Sequence, residues 1–424
     1  MIWAATADAW QDLASRLEAQ VAWLDRIDRG LADSWKGEAG EAARSTLADL
    51  RARTAALRLP ATRTASLLRR HASAVSWAVV SPALAALSDK RTAADITSLA
   101  IPSARPASVR AWWSSLSGAE RDRFAATAPE RIGRLDGIPA VDRDRANRLV
   151  LQRSHGPGVE VLKARLTDGV YLLGLDTSGD GKAIVAFGDP DRSTNVLTFV
   201  PGMHSALDSS LSASLDRTAA MAVAASQADP SATTSAVLWL GYDAPDDLWE
   251  AAQAKYAHSA RADLHTFQEG LAVTHDGEIG EQSVVGYSYG ALVVGETARD
   301  AGIRADDLVF LGSAGVGVGS AADLDVDPAT VWAASAGNDA VGLAAPSVKQ
   351  LLREQIWPRY LGEPMPDLWH GHNPADPGFG GQVFAAADRA NPIDAHLSYW
   401  DTGNPALENV GRIAVGQDRS VTRP

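Results

Sequence analysis

The sequence predicts an α/β chain: a mostly parallel central sheet covered by helices, preceded by an all-helical N-terminal region. Two observations carry this. Through roughly the first 150 residues apolar side chains recur every three or four positions, the period of one helical face. After about residue 160, short apolar and β-branched runs alternate with helical stretches, as parallel strands linked by helical crossovers do. The expected organisation is a helical part over 1–104, a helical lead-in over 105–155 and an α/β domain over 156–424.

Trp10, Leu13, Leu17, Val21, Leu24, Ile27 and Leu31 mark the first helix, and Ala43, Leu47, Leu50 and Leu57 the second. Ser34-Trp35-Lys36-Gly37 interrupts the pattern, so the two read as an antiparallel hairpin ending before Pro60. Pro82, Pro102, Pro106 and Pro129 then cut the helical pattern into pieces. Trp112, Trp113 and Leu116 anchor one of these, and Val141–Gln152 forms an amphipathic helix.

The strand candidates are Val170–Leu175, Ala183–Phe187, Val196–Val200, Val237–Gly241, Gln282–Val285, Asp307–Leu311 and Thr330–Ala334. Helices are expected over about 247–273, from Ala291 onward, and near 344–355. Asp176-Thr177-Ser178-Gly179-Asp180-Gly181 opens like a calcium loop. Its twelfth position is Phe187, where a bidentate Glu is needed, so it reads as a hairpin turn.

Composition excludes several classes. The chain has 424 residues and no cysteine, which removes disulfides, thiol catalysis and thiolate metal ligands. A net charge of −13 argues against nucleic acid as the main partner. No apolar run reaches the roughly 18 residues of a transmembrane helix. Met1-Ile2-Trp3-Ala4-Ala5 lacks the basic start and apolar block of a secretory signal. The expectation is a cytoplasmic chain or one exported without a cleavable signal peptide.

Gly286-Tyr287-Ser288-Tyr289-Gly290 follows a short apolar strand and opens a helical stretch. This is the context of a nucleophile elbow, in which a tight strand-to-helix turn lifts a serine above the sheet edge. Gly286 and Gly290 let strand and helix cross closely there. The turn aims the Tyr289 amide at a developing oxyanion, and the helix N-terminus adds positive potential. The context points to the α/β-hydrolase fold. The bland alternative is an ordinary turn in which Ser288 caps the helix.

Such a serine needs a histidine base and a carboxylate that orients it, following in the order acid, then base. Three histidines follow Ser288: His370, His372 and His396. His396 lies in Asp394-Ala395-His396-Leu397-Ser398-Tyr399-Trp400, where the loop after the last strand should fall. His370 and His372 stand in a Pro/Gly-rich stretch that suits loop hydrogen bonding, or two metal ligands lacking a third. For the acid, Asp339 ends the strand-like Val331–Ser335 through Gly337-Asn338-Asp339; Asp376 and Asp394 compete. An Asx turn would also explain Asp339.

The second oxyanion donor should come from a loop after an early strand. Val200-Pro201-Gly202-Met203-His204-Ser205 fits, with the Met203 amide as donor and Gly202 allowing the turn. His204 reads as structural. Gly202 and His204, together with Tyr242 and Asp243 at the end of another strand and Tyr287, are candidates to line the pocket.

With these segments assembled, residues of about 105–415 resemble an actinobacterial α/β-hydrolase family first catalogued as a domain of unknown function. The matching segments are Ala111-Trp112-Trp113, Leu135-Asp136-Gly137-Ile138-Pro139, Val200-Pro201-Gly202-Met203 and Trp239-Leu240-Gly241-Tyr242-Asp243-Ala244-Pro245, then the elbow and His396-Leu397-Ser398-Tyr399-Trp400. The resemblance implies Ser288, Asp339 and His396 as the triad and supplies no substrate. The first 60 residues resemble the WXG-type hairpins exported by type VII secretion systems, through Trp35-Lys36-Gly37. Residues 1–150 hold no tyrosine, so the Tyr-x-x-x-Asp/Glu signal that follows such hairpins is missing from them.

The expected chemistry is cleavage of a small-molecule ester or related acyl bond, with no metal or organic cofactor required. Acyl transfer to an alcohol or amine on the same triad is the near alternative. A non-enzymatic one is a scaffold whose hairpin pairs with a partner hairpin or a second copy. Trp357, Pro358, Tyr360, Pro364, Met365, Pro366 and Trp369 suggest an apolar pocket wall between acid and base.

Overall fold

The computed structural model describes residues 105–313, 315–339 and 370–424. The expected hairpin over the first 60 residues, the helix near 344–355 and the apolar wall over 357–369 lie outside these. The chain divides into two compact units, Met1–Ala100 and Ile101–Pro424, and all described residues belong to the second.

The lead-in is helical: α1 (Pro106–Ser115), α2 (Gly118–Thr127), α3 (Pro129–Ile132), α4 (Ala140–Arg153) and α5 (Pro157–Arg165). Pro106, Pro129 and Pro157 each take the first position of a helix, where the missing N–H costs nothing. Ser117 and Glu120 close a capping box at the start of α2. Val109, Trp113, Phe124, Ile132, Ile138 and Ala146 form the buried cluster of this region.

The domain follows as β1 (Val170–Asp176), β2 (Lys182–Phe187), β3 (Asn195–Val200), α6 (Leu211–Ala228), β4 (Thr234–Leu240), α7 (Leu248–Ala251), α8 (Lys255–Thr274), β5 (Glu281–Tyr287), α9 (Tyr289–Ala301), β6 (Asp307–Leu311), β7 (Val331–Ala334), β8 (Gln382–Val383), α10 (Pro392–Leu397) and α11 (Pro405–Ile413). The eight strands form one sheet in the order β1-β2-β4-β3-β5-β6-β7-β8. β1, β2 and β4 pair antiparallel; the other pairings are parallel. One buried face packs on α6 and α11, with Leu215, Phe199 and Ile413 among its members. The other packs on α8 and α9, with Leu264, Phe267 and Val293.

All seven expected strands are present, and the mostly parallel, helix-covered sheet is the α/β-hydrolase fold. The Asp176–Gly181 turn joins β1 and β2 as a hairpin, and Asp176 accepts from the Ser178 N–H at 3.0 Å. The structure adds a strand order that the sequence reading left open, and two elements differ from expectation. β2 and β3 are not neighbours, because β4 enters between them. Every residue of β3 is buried, as a central strand requires, and α6 supplies the crossover. The helix expected over 247–273 is two, α7 and α8. β8 is a two-residue strand with no apolar run to announce it. Among the described residues no helix is long and apolar enough to cross a membrane.

Candidate active site

Parallel register aligns the C-terminal ends of the central strands. Val200 stands opposite Gly286, Tyr287 opposite Leu311 and Leu311 opposite Ala334. The segments that leave these strands therefore begin side by side: Pro201-Gly202 after β3, Ser288 after β5, Gly312 after β6 and the Ser335–Asp339 turn after β7.

Ser288 occupies the one-residue turn between β5 and α9 with φ 54° and ψ −123°, a region that side chains rarely enter. Its N–H donates to the Leu311 carbonyl at 3.0 Å and its carbonyl accepts from the Ala291 N–H at 3.1 Å, which hold the strained turn. A Cβ on Gly286 would meet Ala291 Cα at 2.6 Å, and one on Gly290 would meet the Val200 carbonyl oxygen at 2.2 Å. Both elbow glycines are thus required by close backbone approach. The helix begins immediately after Ser288, so its first amides have no partner within the helix.

His396 Nε2 lies 3.1 Å from Ser288 Oγ, and Nδ1 lies 3.0 Å from both Asp339 oxygens. The Asp339 side chain has no exposed surface, and that of His396 is 16% exposed. The three residues come from three separate segments and meet in the order the chemistry of such a series requires. His396 sits in α10 rather than in a loop. Asn391 caps that helix by accepting from the Ile393 and Asp394 N–H groups, with Pro392 at its first position.

Gly202 lies against the serine: a Cβ there would be 2.7 Å from Ser288 Cβ and 3.2 Å from the Tyr289 nitrogen. Among the described residues, neither the Met203 nor the Tyr289 backbone N–H donates to another group. His204 is exposed with φ 63°; its N–H donates to the Pro245 carbonyl, as a turn residue. Tyr242 is buried and reaches the loop from behind, donating to the Pro201 carbonyl at 2.7 Å. Asp243 is exposed, and burial together with Asp180 raises its pKa.

Tyr287 stacks on His396, with ring centroids 5.0 Å apart and planes 26° apart, and donates its O–H to the His396 carbonyl at 2.7 Å. The Arg217 guanidinium lies 5.1 Å from the Tyr287 ring centroid. Burial pushes the Tyr287 phenol well above its ordinary range. The alternative candidates engage elsewhere. His370 Nε2 meets the Ala251 carbonyl at 2.8 Å, and His372 pairs with Asp376 at 3.2 Å. Asp376 also caps the Gly378 N–H, and Asp394 is exposed in the first turn of α10.

Two residues escaped the sequence reading. Tyr399 donates to Asp339 Oδ2 at 2.6 Å. Gly312 carries φ +54°, and a Cβ there would lie 2.9 Å from Asp339 Oδ2 and 3.0 Å from His396 Nδ1. A glycine directly after a strand and a tyrosine three positions after the histidine were the only signals available.

Comparison with known proteins agrees with this architecture. Residues 176–349 match the family model described as alpha/beta hydrolase. The chain is 29% identical over 364 residues to the uncharacterized Mycobacterium tuberculosis protein Rv2079, covering 73% of this chain and 55% of the relative. It therefore spans about half the length of that curated relative. It is 30% identical over 187 residues to the uncharacterized M. tuberculosis protein Rv0963c, covering 42% of this chain and 70% of the relative. A solved Pyrobaculum calidifontis esterase covers 72% of this chain and 98% of its own at 12% identity and a TM-score of 0.30, a likeness too distant to inform the chemistry. On its match to the family model and its relationship to these relatives, the chain belongs to the alpha/beta hydrolase family.

Proposed function

We propose that this chain is a serine hydrolase that cleaves a carboxylic ester or related acyl bond of a small molecule, with Ser288 as nucleophile, His396 as general base and Asp339 as the acid that orients it. The observation that carries this is the hydrogen-bonded series from Ser288 Oγ through His396 to a fully buried Asp339, built on a strained serine turn. His396 Nε2 takes the hydroxyl proton as Oγ attacks the carbonyl carbon. The oxyanion settles against the Met203 and Tyr289 amides, which have no other described acceptor. Collapse breaks the bond to the leaving alcohol, which takes the proton from the imidazolium. Water then loses a proton to His396, attacks the acyl-enzyme and releases the carboxylic acid, and Ser288 regains its proton.

The test is turnover of p-nitrophenyl esters with fluorophosphonate labelling. Ser288→Ala is expected to abolish both, and the unmodified chain to carry the label on Ser288. Undiminished turnover by the Ala variant would overturn the assignment. A chain-length series of esters then defines the acyl pocket.

A further inference from the structure

We propose that Tyr399 is a positioning residue of this site, whose phenol holds the Asp339 carboxylate in the orientation His396 needs. The proposal rests on the serine-hydrolase reading above.

The phenol bridges the two ends of the turn that carries the acid. Its O–H donates to Asp339 Oδ2 at 2.6 Å, and its oxygen accepts from the Ala336 N–H at 2.9 Å. The Asp339 N–H donates back to the Ala336 carbonyl at 2.9 Å, which closes that turn. Because the Ala336 amide hydrogen points at the phenol oxygen, the phenol proton is directed to the carboxylate. Burial, and the Asp339 charge after it, keep the phenol protonated far above its ordinary range, so it acts toward Asp339 only as a donor. Tyr399 is fully buried, and a charge-assisted bond in such a dry setting is stronger than its counterpart in water.

The placement along the chain matters as much as the bond. Tyr399 follows His396 by three residues, in the turn Ser398–Trp400 that continues α10. One short segment thus supplies both the base and the group that fixes the base's acid. Nδ1 is equidistant from the two Asp339 oxygens, so the histidine bond alone does not select a carboxylate rotation. The phenol favours the rotation that turns Oδ2 toward it. Donation also draws off part of the carboxylate charge. Without it, Asp339 would attract the imidazolium more strongly and keep it protonated to higher pH. Among the described residues, the charged or titratable groups on the elements around the pair include Tyr287 from β5, Arg217 from α6 across the Tyr287 ring, Asp388 against the Gly337 N–H, and Asp394 on α10. Tyr399→Phe keeps the edge-on ring contact with Tyr287, at 6.2 Å between centroids, and changes the charge of none of them.

The experiment measures kcat and KM for p-nitrophenyl acetate across pH in the full chain, normalised to fluorophosphonate-labelled sites. It compares the unmodified protein, Tyr399→Phe, and 3-fluorotyrosine incorporated at 399. Tyr399→Phe is expected to lower kcat about tenfold or more, the weight of one hydrogen bond to a buried charge, with KM little changed. Its acid limb moves to higher pH. The fluorinated phenol, a stronger donor of the same shape, keeps the rate and moves the acid limb to lower pH. A tyrosine that only fills space would reduce the number of labelled sites and leave kcat per site and both limbs unmoved; that result overturns the proposal. Where the Phe variant does not fold, the fluorinated chain decides alone, an unmoved limb being the overturning result. Absence of label on Ser288 in the unmodified protein would instead overturn the serine-hydrolase reading, and this proposal with it.

Discussion

At the scale of single residues, Gly312 measures how little room the site leaves. Its φ of +54° places it in the left-handed region, and its missing Cβ leaves space for the Asp339–His396 contact. Gly312→Ala is expected to displace that contact by several tenths of an ångström and to reduce kcat/KM about a hundredfold, as small misplacements of a positioned base do. The backbone strain costs about 1–2 kcal/mol and lowers the melting temperature by a few degrees. Steady-state kinetics and thermal unfolding separate the two losses, and an unimpaired kcat/KM would show that the contact tolerates the methyl group. Ser288 was legible in the sequence because its strand, glycines and helix are contiguous with it. Gly312 and Tyr399 were not. Gly312 meets its partners only through parallel register, and Tyr399 stands 60 residues from Asp339. Local pattern carries no trace of contacts made at that distance.

At the scale of elements, the two ends of the strands do different work. The C-terminal ends of β3, β5, β6 and β7 assemble the site. At the opposite ends, Glu281 opens β5 and Asp307 opens β6, where they lie close together. Burial first, then the Asp307 contact and the Asp306 and Asp418 charges, push Glu281 up to about 8; burial, with the Asp418 and Asp306 charges behind it, pushes Asp307 up to about 6 even though its hydrogen bonds with Trp332 and Glu281 act the other way. Trp332 holds Asp307 through its indole N–H at 2.7 Å. Both carboxyls are raised in the folded chain, so between about pH 4 and pH 8 the folded state binds more protons than the unfolded one. Stability therefore falls as pH rises through that window. Glu281→Gln is expected to raise the melting temperature by a few degrees at pH 8, with the gain vanishing near pH 4 and ester turnover unchanged. Circular dichroism melts at the two pH values check this, and a pH-independent gain contradicts it. The elements themselves were largely legible, since buried strands and amphipathic helices write their periods into the sequence. Strand order was less so. The insertion of β4 between β2 and β3 depends on how α6 crosses the sheet, and the two-residue β8 is held by register with β7 rather than by its own composition.

At the scale of the whole described unit, the lead-in helices and the sheet depend on each other. β1 is an edge strand, and an open edge offers unpaired backbone groups to other chains. α4 covers that edge with side chains. Asp144 accepts from the Leu172 N–H at 2.8 Å, Asn147 donates to the Leu172 carbonyl at 2.8 Å, and Arg148 donates to the Val170 carbonyl at 2.8 Å. Asn147 also donates to the Gly133 carbonyl, which ties the covering helix to its own region. Further along, the Ala140 N–H donates to Asp191 at 2.6 Å, and Thr274 at the end of α8 donates to the same carboxylate. The Arg143 guanidinium lies over the Phe267 ring at 5.7 Å, and the Asp136 side chain packs where Gly270 leaves room on α8. The lead-in thus seals one sheet edge and one helix layer, and each hydrogen bond lost with it contributes about 0.5–1.5 kcal/mol, more where a charged group takes part. Set against a total stability of about 5–15 kcal/mol, losing several at once is decisive. A chain beginning at residue 105 is therefore expected to unfold in a single cooperative thermal transition and to turn over p-nitrophenyl esters, whereas one beginning at residue 156 is expected to aggregate or melt without cooperativity. Soluble expression, differential scanning calorimetry and fluorophosphonate labelling of the two truncations test this. A cooperative transition in the shorter chain would show instead that the strands hold their edge without the helices that cover it.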